Sequence, residues 1–403
     1  MEIAMVRRLF RVLELSIKSV IAGGLVAATL LTGIYSSAQS NSGSMPNLSG
    51  APNAASREPG DFTADKQAEA ELEKGTALTR SGKFAEAIPH LLAARGRVAN
   101  NYAANFNLAL CYVATGQSQP AIPVLTELRA SGHDNANVNN LLAQAYIGDS
   151  QDQKAFESTR RAAALDPANE KLYTFVADAC TFRQNYSLGL QVVDLGLSHL
   201  PNSARLHFER AMFLSSLDQF DNAKNDFELA RSLAPDSDIA FLAAAQEAFF
   251  EGNIAAAVRA ARDGISKGHE SFMLLTLLGE ALLRSGITPG QPEFEEARGA
   301  LETAVSQRPD YASSQLTLGK LYLLEGRLAD AIVHLEIARQ LNPENAAIYS
   351  NLAAAYRKQG RLAESQDALS KLSKLNQAQA AKIRDAPGDR KASYAQNPQE
   401  HKP

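Results

Sequence analysis

"SQLTLGKLYLLEGRLADAIVHLEIARQLNPEN", Ser314 to Asn345, divides in the middle. Leu318 and Tyr322 lie four residues apart and share one helical face, with Gly319 beside them. Gly326 interrupts that pattern. Ala331, Leu335 and Ala338 then form the stripe of a second helix, which Asn342-Pro343 ends because proline can neither donate to nor fit a continuing helix. Two amphipathic helices joined by a short turn form a hairpin whose apolar face is left uncovered, so neighbouring hairpins must cover it.

The phrase recurs with a fixed period. Pro167, Pro201 and Pro235 are 34 residues apart, and Pro309 and Pro343 are 34 apart again. A period of this size marks a repeat architecture. Pro235 to Pro309 is 74 residues, two periods plus six. The six extra residues fall in "GITPGQPEFEEA", near 287–292, where two prolines make a loop. Nine periods plus six fill 68–379.

The spacing Leu318-Gly319-x-x-Tyr322, Ala331-x-x-x-Leu335, Pro343 resembles the tetratricopeptide repeat, a 34-residue helix-turn-helix. The following unit repeats it with Tyr349, Leu352, Ala353, Tyr356 and Gly360; the preceding one does so with Leu278, Gly279, Leu282, Gly286, Ala297, Leu301, Ala304 and Pro309. Leu108, Ala109, Tyr112, Gly116 and Ala121 form an earlier copy, and Gly75, Leu78, Gly82, Ala87 and Leu91 open the series. Ala or Gly at these places lets helix backbones approach closely. The family's Trp is absent, with Tyr173, Phe241 or Tyr349 in its place. The expected fold is an all-α, right-handed α-solenoid of about nine units.

Composition agrees with a largely folded helical chain. The 403 residues are 45% hydrophobic, rich in Ala and Leu, and carry a net charge of -4 without a basic stripe, so nucleic acid is not an expected partner. Arg7, Arg8, Arg11 and Lys18 precede the uncharged run Val20 to Tyr35, which Ser36-Ser37-Ala38 follows. Residues 1–38 read as a secretory signal peptide of an exported bacterial protein, periplasmic or secreted. The alternative is an uncleaved membrane anchor through residues 20–35, the one route to a membrane association. Residues 39–67 read as a flexible leader and 380–403 as a disordered tail, both rich in small, polar and Pro residues.

Chemistry-bearing motifs are lacking. The seven histidines, His90, His133, His199, His207, His269, His334 and His401, are scattered without metal-ligand spacing. No nucleophile elbow, P-loop or dinucleotide fingerprint occurs outside the signal segment. Glu293, Glu295 and Glu296 cluster at a helix start, where acids complement the dipole. Cys111 and Cys180 sit in first helices two stacking steps apart, too far for a disulfide. No metal, cofactor or catalytic residue is expected. The expected function is a noncatalytic scaffold binding a protein or extended peptide and assisting assembly of a complex. The alternative is a substrate platform of an enzyme such as a glycosyltransferase. Self-association is left open.

What the resemblance implies about the binding surface can be placed by phase. The inner wall of such a stack is lined by first-helix residues beside the packing stripe: Asn107, Asn140, Gln144, Asp178, Phe182, Phe208, Met212, Gln246 and Phe249. The family's Lys, Asn and Arg clamp for a terminal carboxylate is not matched there. Amides suit an extended backbone, and Phe and Met suit apolar anchors.

Overall fold

The computed structural model describes residues 59–385. The segments read as a signal peptide and as an anchor lie outside them, as do most of the expected leader and residues 386–403 of the tail. Among the described residues there are eighteen helices and no strand. They pair as α1 (Pro59–Arg80) with α2 (Phe84–Ala94), α3 (Asn101–Ala114) with α4 (Ser118–Ala130), α5 (Ala136–Gly148) with α6 (Asp152–Leu165), and α7 (Glu170–Phe182) with α8 (Tyr186–His199). Five further pairs follow: α9 (Ala204–Ser216) with α10 (Phe220–Leu233), α11 (Asp238–Phe250) with α12 (Ile254–Ser266), α13 (Phe272–Arg284) with α14 (Pro292–Gln307), α15 (Ala312–Glu325) with α16 (Leu328–Leu341), and α17 (Ala346–Lys358) with α18 (Leu362–Asp385). The fold class is the all-α solenoid of helix-turn-helix units. α1 begins at Pro59, within the span read as leader, and α18 continues to Asp385.

The chain forms two compact units, divided between Pro201 and Asn202. The first holds four of the described hairpins and the second holds five. Within each unit a hairpin packs on its sequence neighbour, and the first helices of successive hairpins also touch.

The 34-residue period has a geometric cause at two places. One is the crossing inside each hairpin. A Cβ on Gly319 would lie 2.7 Å from Leu335 Cγ and 3.3 Å from the Ala331 carbonyl oxygen, so α15 and α16 meet at a glycine. Gly279 against Leu301 and Gly75 against Leu91 repeat the contact. Elsewhere buried Ala109, Ala143, Ala177, Ala211, Ala245 and Ala353 occupy the same position. Leu335, Leu301 and Leu91 are each fully enclosed, and burial of such a side chain stabilises by roughly 1.5–3 kcal/mol.

The other is the turn. Nine residues at one register have positive φ: Gly82, Gly116, Ser150, Gln184, Asp218, Gly252, Gly286, Gly326 and Gly360. They are 34 apart throughout except between Gly286 and Gly326, where the separation is 40. The longer interval coincides with the connection from Ser285 to Gln291, in which Gln291 Oε1 accepts from the Thr288 backbone N–H at 2.7 Å.

The prolines that announce the period also join one hairpin to the next. Tyr173 Oη donates to the Pro167 carbonyl at 2.9 Å, Gln315 Nε2 to that of Pro309 at 2.7 Å, and Tyr349 Oη to that of Pro343 at 2.9 Å. In each case the donor stands six residues after the proline, on the following first helix. The accepting carbonyl lies in the linker, two residues past the preceding helix, so the bond pins that linker to the next hairpin.

Candidate functional site

In the first unit the wall expected to bind a partner is formed by α3, α5 and α7. Asn107, on α3, is buried, and its Nδ2 reaches Thr76 Oγ1 at 3.4 Å. Asn140, on α5, is only 2% exposed. Its Nδ2 donates to the Leu172 carbonyl at 2.6 Å, and its Oδ1 accepts from Gln144 Nε2 at 2.8 Å. Asn107 and Asn140 therefore link neighbouring first helices, and Gln144 holds Asn140 in place from one turn along α5. Asp178 is exposed, and Phe182, at the end of α7, is 42% exposed. The expected residues of this unit thus separate into a buried amide brace and an open acidic-aromatic pair.

Sequence reasoning missed two companions of the brace. Asn105 and Asn139 stand at the position that holds Tyr173, Phe241 and Tyr349 in three other hairpins, and both are buried with Oδ1 unpaired. Asn139 Nδ2 donates to Asp134 Oδ1 at 2.7 Å and to the Asn135 carbonyl at 2.8 Å. Asp134 is also gripped by the Arg161 guanidinium, which with the Asn139 amide holds its carboxyl down at about 2. The only signal available was the substitution of amides for aromatics at a fixed phase.

In the second unit the expected wall divides in a similar way. Phe208 is buried against Phe227, ring centroids 6.0 Å apart. Phe249 is buried beneath the Arg284 guanidinium, 4.8 Å from its ring centroid. A cation over an aromatic face is attractive, so Arg284 is held at the rim. Met212 and Gln246 are half-buried. Residues not selected from sequence are more open: Phe250 is 38% exposed and Leu324 is 56% exposed.

The charged groups behind this wall pair among themselves. Asp226 is buried; it accepts from Arg210 Nε and Nη2, each at 2.7 Å, and its Oδ1 lies 2.7 Å from His207 Nδ1. Glu247 is buried with Arg231 at 3.0 Å and Lys224 at 3.9 Å, and burial pushes its carboxyl above the usual range. Each pair joins the two helices of a hairpin or successive hairpins, the role expected of buried ions that must be matched. Among the described residues no group of three or more His, Cys, Asp or Glu is placed to hold a metal ion, and no helix is long and apolar enough to cross a membrane.

Comparison with known proteins places this arrangement. Family models described as tetratricopeptide repeat match residues 78–145, 204–237, 290–336 and 322–386. No curated protein matches. Among solved structures, the chain is similar to a tetratricopeptide repeat protein from Parabacteroides merdae ATCC 43184, at 21% identity over 64% of this chain and 99% of that one, with a TM-score of 0.45. It is similar to a chain of the APC/C hetero-tetramer Cut9-Hcn1 at 12% identity and a TM-score of 0.41, over 68% of this chain. It spans about half the length of that relative, 52%. A thermophilic tetratricopeptide repeat protein of Thermus thermophilus matches at 24% identity over 48% of this chain and 97% of its own, with a TM-score of 0.37. With the matched segments in both units, Gly or Ala at the hairpin crossings and a left-handed turn at one register in nine hairpins, the chain carries tetratricopeptide repeats in both units.

Proposed function

We propose that the protein is a noncatalytic scaffold that holds a peptide or protein segment along its first-helix walls, assists assembly of a complex, and works after export, in the cell envelope or outside the cell. Proteins of this family typically bind proteins or peptides. The observation that carries the reading here is the set of large apolar side chains kept open at first-helix ends: Phe182 in the first unit, Phe250 and Leu324 in the second. Half-buried Met212 and Gln246 beside them supply adaptable apolar and hydrogen-bonding contact.

The export part of the proposal rests on Arg7, Arg8, Arg11 and Lys18 before the apolar run 20–35 and on Ser36-Ser37-Ala38 after it. Mass spectrometry of the native protein tests it. A mature start near Gln39 is the expected result, and an intact Met1 or Met5 terminus in the membrane fraction supports an anchor instead. The scaffold itself is tested by affinity capture from envelope extract with the chain as bait. Capture should be lost in Phe182→Ala and Leu324→Ala variants that keep their helical signal. Turnover of a small metabolite with no captured partner would overturn the reading.

A further inference from the structure

Leu369 stands on α18 at the register of Leu91, Leu125, Phe227, Leu301 and Leu335. None of those five is more than 1% exposed, whereas Leu369 is 45% exposed. Within each unit a second helix is covered by the first helix of the next hairpin. No first helix in phase follows α18. It would occupy 380–392, but α18 itself runs on to Asp385, and Pro387 stands in that span. α16 ends at Leu341, one period before 375, so α18 overruns the repeat by residues 376–385. A helix in water is held mainly by packing of its amphipathic face.

The open side of α18 has a seven-residue repeat. Leu362, Leu369, Asn376 and Ile383 recur at that interval, with Gln366, Ser373 and Ala380 between them. Leu362 is 68% exposed, and Gln366, Ser373, Asn376 and Ala380 are exposed as well. A seven-residue apolar repeat is the pattern by which two helices wind together. At 3.6 residues per turn, Glu364, Asp367, Lys371, Lys374, Lys382 and Asp385 fall on the other side of the helix, and Arg384 alone falls toward the strip, in the last turn.

The residues of the strip choose its occupant. Head-to-tail stacking on another copy is excluded, because α1 carries exposed Glu73 and Lys74 where Leu277 and Leu278 stand on α13. Seating α1 on Leu369 would bury both charges. Asn376 points instead to its own counterpart, since an amide in such a seam is matched by an amide opposite it and thereby fixes register. We propose that the strip pairs in parallel with the strip of a second copy about a two-fold axis, so that Leu362, Leu369 and Asn376 each meet themselves. This goes beyond the scaffold reading and does not rest on it. The hairpin of α17 and α18 has seven basic and three acidic residues, so the two copies repel through solvent, a cost that salt screens. The dimer should therefore tighten as salt rises, whereas a complex held by charge would loosen.

Sedimentation equilibrium of the purified protein at micromolar concentration tests the pairing. Twice the chain mass is the expected result, with a dissociation constant that falls between about 0.05 and 0.5 M salt. The double variant Leu362→Glu, Leu369→Glu should raise that constant at least about tenfold while keeping native circular dichroism, since both positions are open. Because Cys111 and Cys180 are buried, an introduced thiol reports the geometry. Asn376→Cys should oxidise to a covalent dimer, and Asp367→Cys, on the other side of α18, should not. A native protein that stays monomeric, a dimer indifferent to the double variant, or cross-linking at 367 in place of 376 would overturn the inference. Each of those results leaves the scaffold reading standing, because partner capture along the first-helix walls does not involve α18.

Discussion

The Asn140 side-chain amide donates to the backbone carbonyl of Leu172 at 2.6 Å and so ties α5 to α7. An amide that the repeat phase places on a binding wall is thereby occupied by the protein itself. Asn140→Ala should lower unfolding stability by about 1–3 kcal/mol, because it deprives Gln144 of its buried acceptor and opens a gap between hairpins. Asp178→Ala and Phe182→Ala should stay within about 0.5 kcal/mol. Urea unfolding followed by circular dichroism separates the two classes, and an unmoved midpoint for Asn140→Ala would refute the brace.

Backbone geometry yields a pair of opposite effects. Gly279→Ala sets a Cβ 2.5 Å from Leu301 Cγ and should destabilise by about 1–3 kcal/mol through overpacking. Gln184 has φ 55° at the register where six other hairpins carry Gly. Gln184→Gly should stabilise by about 1 kcal/mol, since only glycine adopts that conformation without a steric cost. Thermal midpoints of the two variants should move in opposite directions.

Both cysteines are buried and free, and burial pushes each thiol up to about 12. Cys111 Sγ lies 3.2 Å from Thr79 Oγ1. At pH 8 the reactive thiolate is then about one part in ten thousand. A chromogenic disulfide reagent should leave the native protein unlabelled for hours and label two thiols in denaturant. Because Cys111 and Cys180 both belong to the first unit, labelling in intermediate urea should follow the opening of that unit. Rapid labelling of native protein would contradict the packing described.

Asp134 supplies a pH dependence. Arg161 and Asn139 lower its carboxyl in the folded protein to about 2, against about 4 in an unfolded chain. Its contribution is therefore present above pH 4 and disappears as pH falls from about 4 to 2. Arg161 is exposed and Asp134 only half-buried, so the effect is modest and screened by salt. Asp134→Asn should reduce the drop in melting temperature between pH 5 and pH 2.5, and Arg161→Ala should reduce it similarly. An identical acid response in all three proteins would show that this contact does not matter.

What was legible in the sequence was whatever the repeat forces to recur. Leu318, Gly319, Tyr322, Ala331 and Leu335 occupy the inside of one hairpin, where local spacing alone decides which side chains meet. The wall residues depend on the distance between hairpins, which no local pattern encodes. Gln144 and Asp178 hold the same phase in the second and third hairpins of the α3–α7 wall, yet one is enclosed and the other open. Phe208 and Phe249 are covered because Phe227 and Arg284 reach over them, and those partners lie 19 and 35 residues away. The turns at Ser150, Gln184 and Asp218 were equally silent, since none carries the glycine that announces the others.

The bond from Gln315 to the Pro309 carbonyl and the bond from Tyr349 to that of Pro343 make the protein editable in length. Removing residues 310–343 would bring Tyr349 six positions after Pro309, the separation that Gln315 has now. Both donors end in a polar group that reaches the same acceptor, so the cut ends should heal into one continuous array a hairpin shorter. The seam at each proline is a place where this gene could have gained or lost a module without redesigning its neighbours.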